Sequence, residues 1–225
     1  RVIWASCMVS CGDADGAVTG NTRRYGASLE KIKKVIAPRP GEIMFGLNMI
    51  VSKGKTVFVG DTSVHEYPSS EQLAEIAISA SRVVRLFGFD PKVAFVSHST
   101  FGQPLTSRTK HIKNAVDILK EKGVDFKFDG DMQPDVALNE QYKELYPFSD
   151  IVGNANILIM PGQHSAAISY KMMRELGGAK VIGPLLVGLA QPIEIAPLRS
   201  STSDILNLAS VAAYSAGVIN YTKKN

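Results

Sequence analysis

The chain has 225 residues, 45% hydrophobic and 20% charged, enough apolar material to bury the core of one large domain or two small ones. Twenty-five basic against 21 acidic residues give a net charge of +4, an excess too small and too scattered to mark a nucleic-acid footprint. The apolar runs are too short and too broken by Gly and Pro to span a bilayer, and no signal peptide is recognisable, which together predict a cytoplasmic protein with no membrane partner.

Arg1 falls inside a helical pattern with no cap before it, so the sequence reads as a domain truncated at its N-terminus. Val2 to Cys11 suits a helix that stops at Gly12, with Cys7 and Cys11 one turn apart. No His or Cys at ligand spacing accompanies them, and the two thiols read as buried core residues. Ala17-Val18-Thr19 suits a short strand. Asp13-Ala14-Asp15-Gly16 before it reads as a tight turn, because its glycine comes two positions early for a calcium loop and no Glu closes it.

Leu29, Ile32, Val35 and Ile36 fall at helical spacing over Ser28 to Ile36, and Pro38 and Pro40 end that element. Ile43 to Val51 and Lys55 to Gly60, joined through Ser52-Lys53-Gly54, form a predicted hairpin. Gly54-Lys55-Thr56 is not a phosphate loop: Met49 stands where the first glycine belongs, and no helix opens there. Ser69 with Gln72 makes a capping box for a helix whose buried stripe is Leu73, Ile76, Ala77, Ala80, Val83, Val84 and Phe87, closed by Gly88.

Beyond it the pattern alternates: strand Lys92 to Ser97, helix Ser107 to Lys122, strand Asp125 to Asp129, helix Leu138 to Tyr146, strand Asn156 to Met160, helix Ser165 to Leu176, and a strand at Val181-Ile182. Strands alternating with helices make βαβ units, which predicts the α/β class with a mostly parallel sheet covered on both faces, three layers αβα. Gly183-Pro184 breaks the last strand. A loop through Pro192 and Pro197 then leads to a helix from Thr202 to Val218, with Ser201 as N-cap and Asp204 beside the orphan amides of the first turn.

The loops after the strands, Ser97 to Gly102, Gly130 to Asp135, Pro161 to His164 and Gly183 to Ser201, are expected to form one mouth. With Arg174 and Arg199 they offer hydroxyls, amides and guanidinium groups, a collection suited to an anionic, extended ligand. Asp129, Asp131 and Asp135 lack a histidine at ligand spacing and read as turn and cap residues; no metal site is expected. His65, His98, His111 and His164 are scattered, and no Ser/His/Asp geometry follows from them.

Taken together, these loops resemble a known family. Ser97-His98-Ser99-Thr100, Asp129-Gly130-Asp131-Met132-Gln133-Pro134-Asp135-Val136-Ala137, Asn154-Ala155-Asn156, Tyr170-Lys171 and Gly183 through Pro192 follow the phosphate acetyltransferase pattern over nearly all of the chain. Within the phosphate acetyl/butyryltransferase family the sequence is similar to the C-terminal phosphotransacetylase-like domain of multimodular NADP-dependent malic enzymes, through Gly12-Asp13-Ala14-Asp15, Thr19 to Tyr25 and Phe58 to Val64. The resemblance implies two subdomains flanking a cleft, one from residues 1 to about 90 with the hairpin 43–60, the other, parallel α/β, from 91 to 225.

Active members of that family carry a Ser-Arg pair after Gly-Pro-x-x-x-Gly-Leu-x-x-Pro and an Asp one helical turn later, which draws the thiol proton from coenzyme A while the pair stabilises charge on acetyl phosphate. Here the Asp matches Asp204, but Pro197 and Leu198 fall where the pair belongs. The resemblance therefore implies that Asp204 is vestigial and that the domain binds acetyl-CoA without turning it over. The ligand-binding residues it implies are Ser97, Ser99, Thr100, Arg174, Gly183, Pro184, Pro197, Leu198, Arg199 and Asp204.

It further implies a regulatory and oligomerising role for a homo-oligomer, a dimer at least with a hexamer among the options, attached to an N-terminal malic enzyme module. That module would use NADP and Mg or Mn to decarboxylate malate oxidatively to pyruvate. The alternative is an active phosphate acyltransferase in which Arg199 and Ser200 have slipped into the catalytic places.

Overall fold

The computed structural model describes residues 1–224, with the backbone alone at 108 and 219–224. In chain order the elements are α1 (Val2–Cys11), β1 (Ala17–Gly20), α2 (Tyr25–Ile32), β2 (Phe45–Ser52), β3 (Lys55–Gly60), α3 (Ser70–Leu86), β4 (Lys92–Val96), α4 (Ser107–Lys122), β5 (Lys127–Met132), α5 (Pro134–Leu138), a 3-10 turn (Glu140–Glu144), β6 (Ile157–Ile159), α6 (Gln163–Gly177), β7 (Lys180–Val187), β8 (Ile193–Ala196) and α7 (Thr202–Lys224). No helix among the described residues is long and apolar enough to cross a membrane.

Contacts divide the chain into one unit of Arg1–Asn48 with Ile182–Asn225 and a second of Met49–Val181. The boundary expected near residue 90 is not where the chain divides. The reason lies in pairing: β8 pairs in parallel with β1, Ala17 opposite Ile193 through Gly20 opposite Ala196, and so joins the last 44 residues to the first 48. In this first unit α1, α2 and α7 pack on the β1–β8 pair.

The second unit carries the parallel strands in the order β5-β4-β6-β3, and β2 and β7, the strands within which the division falls, complete a six-stranded sheet. The mostly parallel α/β class expected from the alternating pattern is what is found. Val59, Ala94, Val96, Met132, Ile151 and Leu158 belong to one buried cluster in this unit.

Local chemistry accounts for most element ends. Ser69 accepts the Gln72 amide at 3.1 Å and gives its own amide to Gln72 Oε1 at 2.8 Å, the reciprocal cap that starts α3. Lys53 (φ 49°) and Gly54 (φ 75°) make the two-residue turn between β2 and β3.

Six elements differ from expectation. Gly183-Pro184 does not break β7, because β7 is an edge strand, where a missing N–H is tolerated. A four-residue strand was hidden in the proline-bearing loop: Ile193-Glu194-Ile195-Ala196 forms β8. The helix expected over Leu138 to Tyr146 is instead the short α5, opened by Pro134, and a 3-10 turn. β5 runs on to Met132, and α2 starts at Tyr25, three residues before the expected Ser28. Finally, Cys7 is half-buried and Cys11 exposed, since α1 buries Val2, Ser6 and Val9 instead.

Candidate functional site

In the second unit the strand ends hold two buried carboxylates that organise the loops around them. Asp61, after β3, is 1% exposed and accepts the amides of Ser63 (2.8 Å), Val64 (3.1 Å) and His65 (2.7 Å), with His65 Nδ1 at 2.8 Å. Asp131, at the end of β5, accepts the Ser99 hydroxyl and, at 3.0 Å, the Gly102 amide. Because Ser99 gives its proton to Asp131, its oxygen is the acceptor for Ser97 Oγ at 3.1 Å. Thr100 Oγ1 in turn accepts the Gln133 amide at 3.3 Å.

Ser97, Ser99 and Thr100, expected to hold a ligand, are thus buried and spend their hydroxyls on the loop itself. Arg174 lies in the last turn of α6, where its Nε donates to Glu175 at 2.8 Å. The three acids read as turn residues have separate partners: Asp129 takes the Gly130 amide at 2.8 Å and Asp135 the Tyr142 hydroxyl at 3.0 Å. A cavity of about 520 Å³ opens beside Glu66, Pro68, Ser69, His111 and His164, with the Tyr67 ring stacked on His164 at 6.1 Å.

The first unit brings Pro197, Leu198, Arg199 and Asp204 to the carboxyl end of β8, while Gly183 and Pro184 lie within β7. Pro197 O accepts both the amide (3.2 Å) and the hydroxyl (2.9 Å) of Ser200, closing a turn in which Arg199 adopts φ 62°. That conformation favours glycine, so an arginine there is strained. The turn hands on to α7, where Asp204 Oδ2 accepts the Ser201 amide at 2.9 Å and hydroxyl at 2.8 Å while Ser201 Oγ accepts the Asp204 amide at 3.2 Å. Ser201 is the cap expected of it. Leu198 is exposed and Pro197 half-buried. Gly183 lies so close to Leu47 O and Asn48 Oδ1 that a Cβ would sit 2.9 and 2.6 Å from them, so its part is backbone packing on β2.

Two features escaped the sequence reading. Glu194, between Ile193 and Ile195 on β8, is 5% exposed; burial pushes its carboxyl up to about 8, opposed by the Leu186 amide it accepts at 2.9 Å. The signal was a lone acid inside a short apolar run flanked by prolines. The second is the loop after β1: the pairing of Gly20 with Ala196 sets Asn21 through Arg24 beside Pro197 through Ser201, with Asn21 N bonded to Ala196 O at 2.8 Å.

A family model described as phosphate acetyl/butaryl transferase matches residues 1–213. The NADP-dependent malic enzyme of Rhizobium meliloti (strain 1021) is 49% identical over 214 residues, 95% of this chain and 28% of its own length. The phosphate acetyltransferase of Clostridium acetobutylicum is 32% identical, over 95% of this chain and 67% of its own. Among solved structures a phosphotransacetylase from Streptococcus pyogenes superposes with a TM-score of 0.90 at 28% identity, covering 95% of this chain and 66% of that one. The chain therefore spans under a third of the malic enzyme it matches.

Proposed function

The chain belongs to the phosphate acetyl/butaryl transferase family, and from that premise we propose that it is a regulatory domain of an NADP-dependent malic enzyme, one that binds acetyl-CoA, helps hold the oligomer together and does not transfer acetyl groups. The parent reaction would be oxidative decarboxylation of malate to pyruvate, with NADP and Mg or Mn used by a module outside this sequence. Nearly half-identity to a malic enzyme over 95% of the chain supports that parentage.

One observation carries the loss of transfer activity: in the turn before α7 both hydroxyls are already given away, and none is left to offer a reacting oxygen. Pro197 has no amide hydrogen. The Ser200 hydroxyl is given to Pro197 O, and that of Ser201 to Asp204. Asp204 itself is drawn into the cap of α7 through Oδ2. Each missing donor to developing charge costs on the order of 10²- to 10³-fold in rate.

Titrating acetyl-CoA calorimetrically into the protein tests the binding. Heat of association at micromolar to millimolar ligand is expected, and its absence at millimolar ligand removes the proposal. A thiol-release assay with acetyl-CoA and phosphate tests the inactivity: release at the background rate is expected, whereas turnover abolished by Asp204→Ala would establish an active acyltransferase instead.

A further inference from the structure

We propose that the cavity beside α5 in the second unit binds a small organic ammonium ion, held by the Asp135 carboxylate and the ring faces of Phe101, Tyr146 and Phe148. Neither this ligand nor these residues are those of the acetyl-CoA reading.

The cavity measures about 530 Å³, a volume suited to a small molecule. Its walls come from segments that follow β4 and β5. Phe101 belongs to the loop after β4, where its amide donates to Asp131 O at 2.6 Å and its φ is 50°. Asp135 stands in the first turn of α5. Tyr142, Tyr146 and Phe148 come from the 3-10 turn and the chain just beyond it. Phe101, Tyr142 and Tyr146 pack against the buried cluster of this unit, so the core holds them in place. Phe148 is 70% exposed, which leaves ring surface open to a ligand.

Ring geometry and charge together give the class of ligand. Phe101 lies 4.9 Å from Phe148 at 64° and 5.3 Å from Tyr146 at 53°, and Tyr146 lies 6.1 Å from Phe148 at 87°. Rings so steeply inclined make corners and leave no parallel slot. A corner of ring faces fits a rounded cationic head better than a flat heterocycle. Asp135 is the one charged residue among the described residues that line the cavity, and no Lys, Arg or His lines it with them. Among the described residues it pairs with no cation; its Oδ2 accepts the Tyr142 hydroxyl at 3.0 Å. That hydrogen bond, and then the Asp135 charge, hold the Tyr142 hydroxyl above its usual pKa range, so the phenol stays neutral and adds no second charge. One carboxylate with three ring faces matches a monovalent ammonium, whereas a metal ion would demand more oxygen ligands.

Titration of the whole chain with choline, followed by calorimetry and by the N-methyl proton signal, tests the site. Two controls accompany it: neopentylcarbinol, the uncharged carbon isostere of choline, and adenosine, a flat heterocycle. Choline is expected to bind saturably at millimolar concentration, its N-methyl signal moving upfield over the ring faces, and about tenfold more tightly than the isostere. Asp135→Asn keeps an acceptor for Tyr142, and Phe148→Ala changes an exposed ring. Each is expected to weaken choline about fivefold or more, with thermal melts superposing on wild type. Choline against its isostere is compared on wild type alone, so that result stands even if a variant unfolds. The isostere binding as tightly as choline overturns the site. So does choline bound equally by wild type and both variants, adenosine bound in preference to choline, or no choline bound at millimolar ligand.

Discussion

Glu194 shows how much a single residue can ask of a short strand. Its carboxyl is enclosed with one amide for company, and burial raises it from 4.5 to about 8. Between those values the folded chain keeps a proton that the unfolded chain has released. Stability therefore falls as pH rises through that window, by up to about 1.4 kcal/mol per pH unit, and levels off above it. Glu194→Gln keeps an acceptor for the Leu186 amide and removes the titration. Urea unfolding at pH 5 and pH 8 is expected to differ less for the variant than for wild type; equal differences would mean that Glu194 does not stay protonated in the fold. Asp131 matters for another reason, as an acceptor that two donors depend on. Asp131→Ala strands the Ser99 hydroxyl and the Gly102 amide, and a loss of about 2–4 kcal/mol in the urea-derived unfolding free energy is expected.

At the scale of elements, the β1–β8 pair makes the sharpest demand on sequence. Any side chain at Gly20 would strike the Ala196 carbonyl from a backbone conformation that L residues avoid. Gly20→Ala is expected to cost at least about 2 kcal/mol, seen as a lower thermal midpoint, while alanine at the exposed Gly26 on α2, where a Cβ meets nothing, should be neutral or mildly stabilising. The same pair marks the limit of what could be read in advance. The capping box at Ser69 and Gln72, the hairpin turn at Lys53-Gly54 and the cap at Ser201 are local chemistry, and the structure has each where the residues put it. β8 is not local: Ile193 to Ala196 is four residues with an acid in the middle, and only the distant β1 makes a strand of it. For the same reason the hydroxyls of Ser97, Ser99 and Thr100 looked available. Their partners, Asp131 and Gln133, stand more than thirty positions away.

At the scale of the whole molecule, the acetyl-CoA reading makes a thermodynamic demand that needs no knowledge of the catalytic module. A ligand that binds only the folded chain stabilises it by RT ln(1 + [L]/Kd), about 2.7 kcal/mol at a hundredfold excess over Kd. Melts with rising acetyl-CoA are expected to climb steadily, and a midpoint indifferent to ligand would count against binding. The chain's path has a consequence of another kind. Thr19 Oγ1 donates to the Glu194 carbonyl across 175 residues of sequence, and the first unit consists of the two ends of the chain with the second unit inserted as one uninterrupted stretch. On the ribosome, Met49–Val181 is complete in sequence before the first unit is, while β1 waits unpartnered until β8 has been made. Contacts so remote slow folding and lengthen the exposure of sticky strands. Residues 1–48 are thus a natural client for a chaperone, and a nascent chain stalled before residue 193 is expected to protect the insert from protease while leaving residues 1–48 open to cleavage.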